Sequence, residues 1–131
     1  MCATPLISIV DDDEAVRVAT GALVRSLGYE ARTYDSAEAF LRSPDVAETA
    51  CLILDVQMPG MSGPELQGHL LRGPHAPPII FISAFPDAEV RDQVVQAGAL
   101  DLLGKPCDGK ALVGAIEAAL TAAGTGSTRG R

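Results

Sequence analysis

The chain has 131 residues, room for one domain with a single sizeable core and too little for two. Hydrophobic residues at 47% and charged ones at 21% give a globular composition, and aromatics at 4% with no Trp leave the core to aliphatics and Ala. A net charge of −7 without any Lys/Arg cluster argues against direct nucleic-acid binding, three cysteines without CxxC or Cys/His spacing argue against zinc or a disulfide framework, and the N-terminus MCATPLISIVDDD carries neither a signal peptide nor a membrane span.

The first predicted strand is PLISIV (5–10), followed by a helix from about Glu14 with Val16, Thr20, Leu23 and Leu27 on one face and Gly28 closing it. A strand near Tyr29 to Tyr34 comes next. Asp35 and Glu38 stand in capping-box spacing before a second helix that gives out by Ser43 and Pro44. CLILD is the third strand, and Ser62 with Glu65 form a capping box for a helix to about Arg72, with Pro64 in its first turn. PPIIFIS (77–83) is the fourth strand. Asp87 caps a helix carrying Val90, Val94 and Ala97 and closed by Gly98. LDLLG is the fifth strand, and a last helix from about Asp108 aligns Leu112, Ile116, Ala119 and Leu120. The Gly/Ser/Thr-rich residues 122–131 read as a disordered tail or the start of a linker, leaving 1–121 as the domain.

Alternating strands and helices, with continuous apolar runs in strands one, three and four, predict an α/β fold: a doubly wound five-stranded parallel sheet with helices on both faces, flavodoxin-like. Ligands of such sheets sit beyond the carboxyl ends of the strands. There the chain places Asp11 and Asp12 after the first strand, Asp55 after the third, Ser83 after the fourth and Lys105 with Pro106 after the fifth. Carboxylates gathered at one rim need a raised pKa or a cation, and Mg²⁺ suits an all-oxygen site shared with a phosphate. Asp55 is then the central candidate for nucleophilic attack on phosphorus, with metal, Lys105 and the Ser83 hydroxyl holding the developing charge. Taken singly, DDD also suits a solvated helix N-terminus, its register is open by one, and Asp55 also suits a strand-end turn.

IVDDDEAVR, LILDVQMPGMSGPEL, PPIIFISA and AGALDLLGKP resemble, in order and spacing, the motifs of response regulator receiver domains, and YDSAEAFL is most similar to the FixJ-like subgroup. The resemblance covers residues 5 to 121. It implies Asp55 as phosphoacceptor from a sensor histidine kinase, Asp12 and Asp55 as direct Mg²⁺ ligands, Asp11 acting through water and the Gln57 carbonyl as a backbone ligand. It further implies that Ser83 follows the phosphoryl group inward, that Ala84 leaves room for the donor, that Lys105 pairs with the phosphoryl oxygens, and that the bond before Pro106 is cis.

The chain departs from the family at Leu102, where an aromatic switch is usual, and at Cys107, where Phe is usual; Gln57 and Phe85 hold positions that tune hydrolysis of the aspartyl phosphate. The expected protein is a cytoplasmic, phosphorylation-activated switch, not a turnover enzyme. Its output passes to a homodimer through the fourth helix, fifth strand and fifth helix, or to an effector domain or partner protein, without contact to membrane or nucleic acid by this domain. Competing readings are a phosphate-ester hydrolase, which lacks its second acid because Gln57 is there, a flavodoxin-like cofactor binder, which lacks a phosphate loop after strand one, and a degenerate receiver used as a phosphorylation-independent docking module. Cys51 reads as core, and His69 and His75 as surface residues.

Overall fold

A computed structural model describes residues 4–105 and 108–128, with side chains of the last helix as far as residue 121. Cys2, Pro106 with its expected cis bond, Cys107 and residues 129–131 lie outside the described residues. Strands and helices alternate as β1 (Leu6–Val10), α1 (Glu14–Ser26), β2 (Glu30–Tyr34), α2 (Ala37–Arg42), β3 (Thr49–Asp55), α3 (Gly63–Leu71), β4 (Ile79–Ser83), α4 (Ala88–Gln96), β5 (Asp101–Gly104) and α5 (Gly109–Thr128). The strands form one parallel sheet in the order β2-β1-β3-β4-β5, so strand order reverses between β1 and β3.

Period-2 alternation in strands covered on both sides divides the core in two. Val10, Leu52, Leu54 and Phe81 join Phe40, Leu66, Leu70, Val94 and Leu102 on one face, while Ile7, Ile9, Cys51, Ile53, Ile80 and Ile82 join Val24, Leu112, Ile116 and Ala119 on the other. That two-sided burial is why these strands read as unbroken apolar runs. Ser8 interrupts β1 without penalty because its hydroxyl lies 2.7 Å from that of Thr49, which itself donates to the Asp45 carbonyl at 2.7 Å. Cys51 is a fully buried free thiol whose pKa burial pushes up to about 12, an inert core residue.

Helix ends follow their capping chemistry. Asp13 accepts the Ala15 N–H at 2.9 Å, Ser62 and Glu65 complete a reciprocal capping box, and Asp87 accepts the Glu89 N–H at 2.8 Å. Gly28 and Gly98 close α1 and α4 in the left-handed region. At α2 the expected Asp35/Glu38 box does not form. Ser36 is the N-cap, its hydroxyl accepting the Ala39 N–H at 3.0 Å, so the helix starts one residue later and Glu38 falls a position short of where a box needs it.

One buried face and two boundaries differ from expectation. On α1 the buried residues are Thr20, Gly21 and Val24, with Val16, Leu23 and Leu27 only partly covered. β4 begins at Ile79 because Pro77 and Pro78 have no N–H for the ladder, although the Pro78 carbonyl still accepts the Leu52 N–H at 2.9 Å. The backbone of α5 is helical to Thr128, past residue 121. No described helix is long and apolar enough to cross a membrane.

Core burial should outweigh capping in stability. Ile53→Ala is expected to cost about 2–5 kcal/mol, whereas Ser62→Ala costs about 1 kcal/mol, both read from urea unfolding midpoints.

Candidate functional site

β1 and β3 are neighbours on either side of the reversal in strand order, and their carboxyl ends deliver Asp11 and Asp55 to the same crevice. The register of the DDD run is fixed by the ladder: the Asp11 N–H still bonds the Tyr34 carbonyl at 3.1 Å, so Asp11 extends β1, Asp12 projects into solvent and Asp13 caps α1. Asp11 is fully buried and Asp55 is 3% exposed, while Asp12 is open. One carboxylate oxygen from each of the three lies within 4.8 Å of the others.

Lys105 reaches this group from the end of β5. Its N–H bonds the Ser83 carbonyl at 2.8 Å, and its ammonium stands 2.9 Å from Asp11 Oδ2 and 3.2 Å from Asp55 Oδ2. The other oxygen of Asp11 accepts the Asp13 N–H at 2.9 Å, and Asp55 Oδ1 accepts the Gln57 N–H at 3.3 Å. Ser83 is buried on the same rim, one residue beyond the β4 partner of Asp55, with its hydroxyl accepting the Phe85 N–H at 3.1 Å. The structure therefore gathers Asp11, Asp12, Asp55 and Lys105 directly, with Ser83 and Gln57 at their edge. His69 and His75 are exposed and lie elsewhere, in α3 and after it.

The electrostatics are unbalanced. Three carboxylates and one ammonium leave two uncompensated negative charges, the charge of one divalent cation. Burial first, and then the neighbouring Asp11 carboxylate, push the Asp55 pKa up to about 6 against the opposing pull of Lys105 and the Gln57 N–H. Burial alone lowers the Lys105 ammonium, but its contacts with Asp11 and Asp55 outweigh that and raise it. Asp11 Oδ2 is buried, and the Lys105 ammonium at 2.9 Å is its partner among the described residues. A charge deficit of two and an all-oxygen donor set fit a hard divalent cation.

Three residues that shape the site escaped the sequence reading. Gly63 opens α3 with its N–H on the Val56 carbonyl at 3.0 Å, and a Cβ there would fall 2.3 Å from the Asp55 carbonyl oxygen and 2.9 Å from the Phe81 ring. A glycine in a helix's first turn, where most other residues propagate better, was the available signal. Arg17 Nη1 donates to the Asp11 carbonyl at 2.8 Å, and Glu38 accepts the Met61 N–H at 3.1 Å. Neither pairing has a sequence signature.

The model of the response regulator receiver domain matches residues 7–117. The chain belongs to the response regulator receiver family. Response regulator protein TmoT of Ectopseudomonas mendocina is 44% identical over 115 residues, covering 88% of this chain and 52% of that protein. FixJ of Azorhizobium caulinodans is 36% identical over 115 residues, 87% of this chain and 54% of that one, in keeping with the FixJ-like motifs. The solved structure of response regulator StyR superposes with a TM-score of 0.88 at 39% identity, covering 97% of this chain and 64% of that one. The chain thus spans about half the length of the curated relatives it matches. It is a phosphorylation-activated receiver domain of two-component signalling with the doubly wound receiver fold.

The raised pKa of Asp55 sets a pH dependence for the metal-free receiver. The folded state holds this proton more tightly than the unfolded chain, whose value is near 3.8, so stability falls as pH rises from there through about 6. Asp55→Asn should remove that loss and gain about 1–3 kcal/mol near pH 7, measured by urea unfolding with chelator present.

Proposed function

We propose that Asp55 is the phosphoacceptor of this receiver, with Mg²⁺ as its cofactor. The observation that carries the reading is the Lys105 ammonium set between Asp11 Oδ2 and Asp55 Oδ2, at 2.9 and 3.2 Å, with the Asp12 carboxylate beside them. Asp12, Asp55 and the Gln57 carbonyl would hold the ion directly and Asp11 through water, and when bound it supplies positive charge against the phosphoryl oxygens.

A carboxylate oxygen of Asp55 attacks phosphorus in line as the bond from phosphorus to one imidazole nitrogen of the kinase's phosphohistidine breaks, and that ring, whose other nitrogen already carries a proton, leaves as neutral imidazole beside the new acyl phosphate. Buried β3 holds the nucleophile still, which lowers the cost of orienting it. Lys105 donates to the phosphoryl oxygens and so stabilises charge that develops on them. The Ser83 hydroxyl, which now accepts from the Phe85 N–H, turns to donate to the same oxygens, and the β4–α4 loop loses that tie.

Receiver domains are generally not turnover enzymes, and this one promotes only its own phosphotransfer and dephosphorylation. The signal passes to the face of α4, β5 and α5, where Val95 and Leu100 are exposed apolar residues and Arg91 pairs with Asp101 at 2.9 Å. That face serves a second copy of the chain or an effector domain or partner protein. Leu102 is buried under α4 in place of an aromatic, so a ring flip at this position is not the relay. The cytoplasm is the proposed location, and the sensor histidine kinase the donor. A docking module without phosphoryl chemistry would have no use for the ion-paired nucleophile, and labelling separates the two readings.

Intact mass after incubation with a small acyl phosphate and Mg²⁺ should show one phosphoryl group on the wild type and none on Asp55→Asn or with chelator present. Lys105→Ala should slow labelling by roughly a hundredfold to a thousandfold, the loss of one preorganised donor. Equal labelling of wild type and Asp55→Asn would exclude Asp55 as the acceptor.

A further inference from the structure

Glu38 lies in the first turn of α2, where its own helix gives it nothing to cap. Its Oε2 instead accepts the N–H of Met61 at 3.1 Å, 23 residues further along the chain. The neighbouring residue is shaped to receive it. Gly60 sits at φ 77, in the left-handed region, and a Cβ there would stand 2.8 Å from that same Oε2. A hydrogen bond and a missing side chain thus mark one contact from two sides.

The segment that Glu38 holds is the loop from β3 to α3, which carries Gln57. Its base is pinned by the Val56 N–H on the Ile82 carbonyl, by the Gly63 N–H on the Val56 carbonyl, both at 3.0 Å, and by the Gln57 N–H on Asp55 Oδ1. Met58 adds a buried side chain, but the tip at Pro59 and Gly60 is exposed. Glu38 supplies a tie to that tip from a rigid support, since Ala37 and Phe40 of α2 are fully buried in the same apolar cluster as Val56 and Met58.

We propose that Glu38 is a positioning residue for the cation site: it straps the β3–α3 loop so that the Gln57 backbone stays beside Asp55, with Gly60 as the seat of the strap. The inference rests on the reading of Asp11, Asp12, Asp55 and Gln57 as that site. Glu38 acts through the loop and not on the ion. What the strap requires is a hydrogen-bond acceptor at this position, and the negative charge is incidental to it.

Wild type, Glu38→Gln, Glu38→Ala and Ser36→Ala separate these roles, the last weakening the α2 cap without touching the loop. Amide hydrogen exchange at Gln57 and Met61 in metal-free protein reads the strap by itself, and titration with Mg²⁺, followed by the loop amide resonances, reads its consequence. Glu38→Ala should exchange faster at both amides and bind Mg²⁺ about tenfold more weakly, the low end of what losing a partner behind a metal ligand costs. Glu38→Gln, which keeps an acceptor oxygen, and Ser36→Ala should both stay close to wild type. Wild-type exchange and affinity in Glu38→Ala would overturn the proposal. So would an equal loss in Glu38→Gln, which would make charge the operative feature, or in Ser36→Ala, which would make it general stability. Failure of the wild type to bind Mg²⁺ would instead overturn the reading of the site and the metal part of this inference, while exchange still decides whether the strap exists.

Discussion

The ammonium of Lys105 between the carboxylates of Asp11 and Asp55 is the contact on which the rest of the site depends. Two acids at the ends of adjacent strands, one fully buried and one nearly so, would each be expensive to ionise if left alone. The counter-charge comes from β5, which is two strands away from β3 in the sheet, a lateral distance of about 10 Å. A long flexible side chain can reach across β4 from there, and the strand-end hydrogen bond from the Lys105 N–H to the Ser83 carbonyl fixes where it starts.

One lysine does not neutralise three carboxylates, and the imbalance is useful. Together with burial, which is the larger cause, it leaves Asp55 with a pKa pushed up to about 6 and a rim that carries excess negative charge. The apolar run that ends in Asp55 answers the strain: Cys51 to Leu54 are fully buried, and they place the carboxylate on a support that does not yield to the repulsion around it. Stability supplied by the core is thus set against a locally unfavourable arrangement of charge at the rim.

The backbone around Asp55 is held from several directions by residues distant in sequence. Gly63 lets the start of α3 approach the Asp55 carbonyl, Arg17 of α1 holds the Asp11 carbonyl, and Glu38 of α2 holds the tip of the loop that bears Gln57. The Ser83 hydroxyl holds the Phe85 N–H in the next loop along. Each tie links the edge of the site to a different helix or loop. Leu102 is buried, and the β4–α4 loop is tied to the rim directly through Ser83.

The apolar runs of the strands, the caps Ser62 and Asp87, and the closing glycines Gly28 and Gly98 were legible in the sequence because each depends on neighbours a few residues away. So was the set of residues at the strand ends, since a parallel α/β alternation sends every strand's carboxyl end to one edge of the sheet. The fold decided what local rules could not. Glu38 has the spacing of a cap and is used as a strap, because Ser36 starts the helix one residue late and the β3–α3 loop offers the Met61 N–H instead. Asp11 is buried while Asp12 is open, because the ladder to β2 runs one residue past Val10. By itself the sequence determined which side chains arrive at the rim; only tertiary structure decided which of them touch, because contact between residues on separate strands depends on sheet order, side-chain reach and the packing behind them.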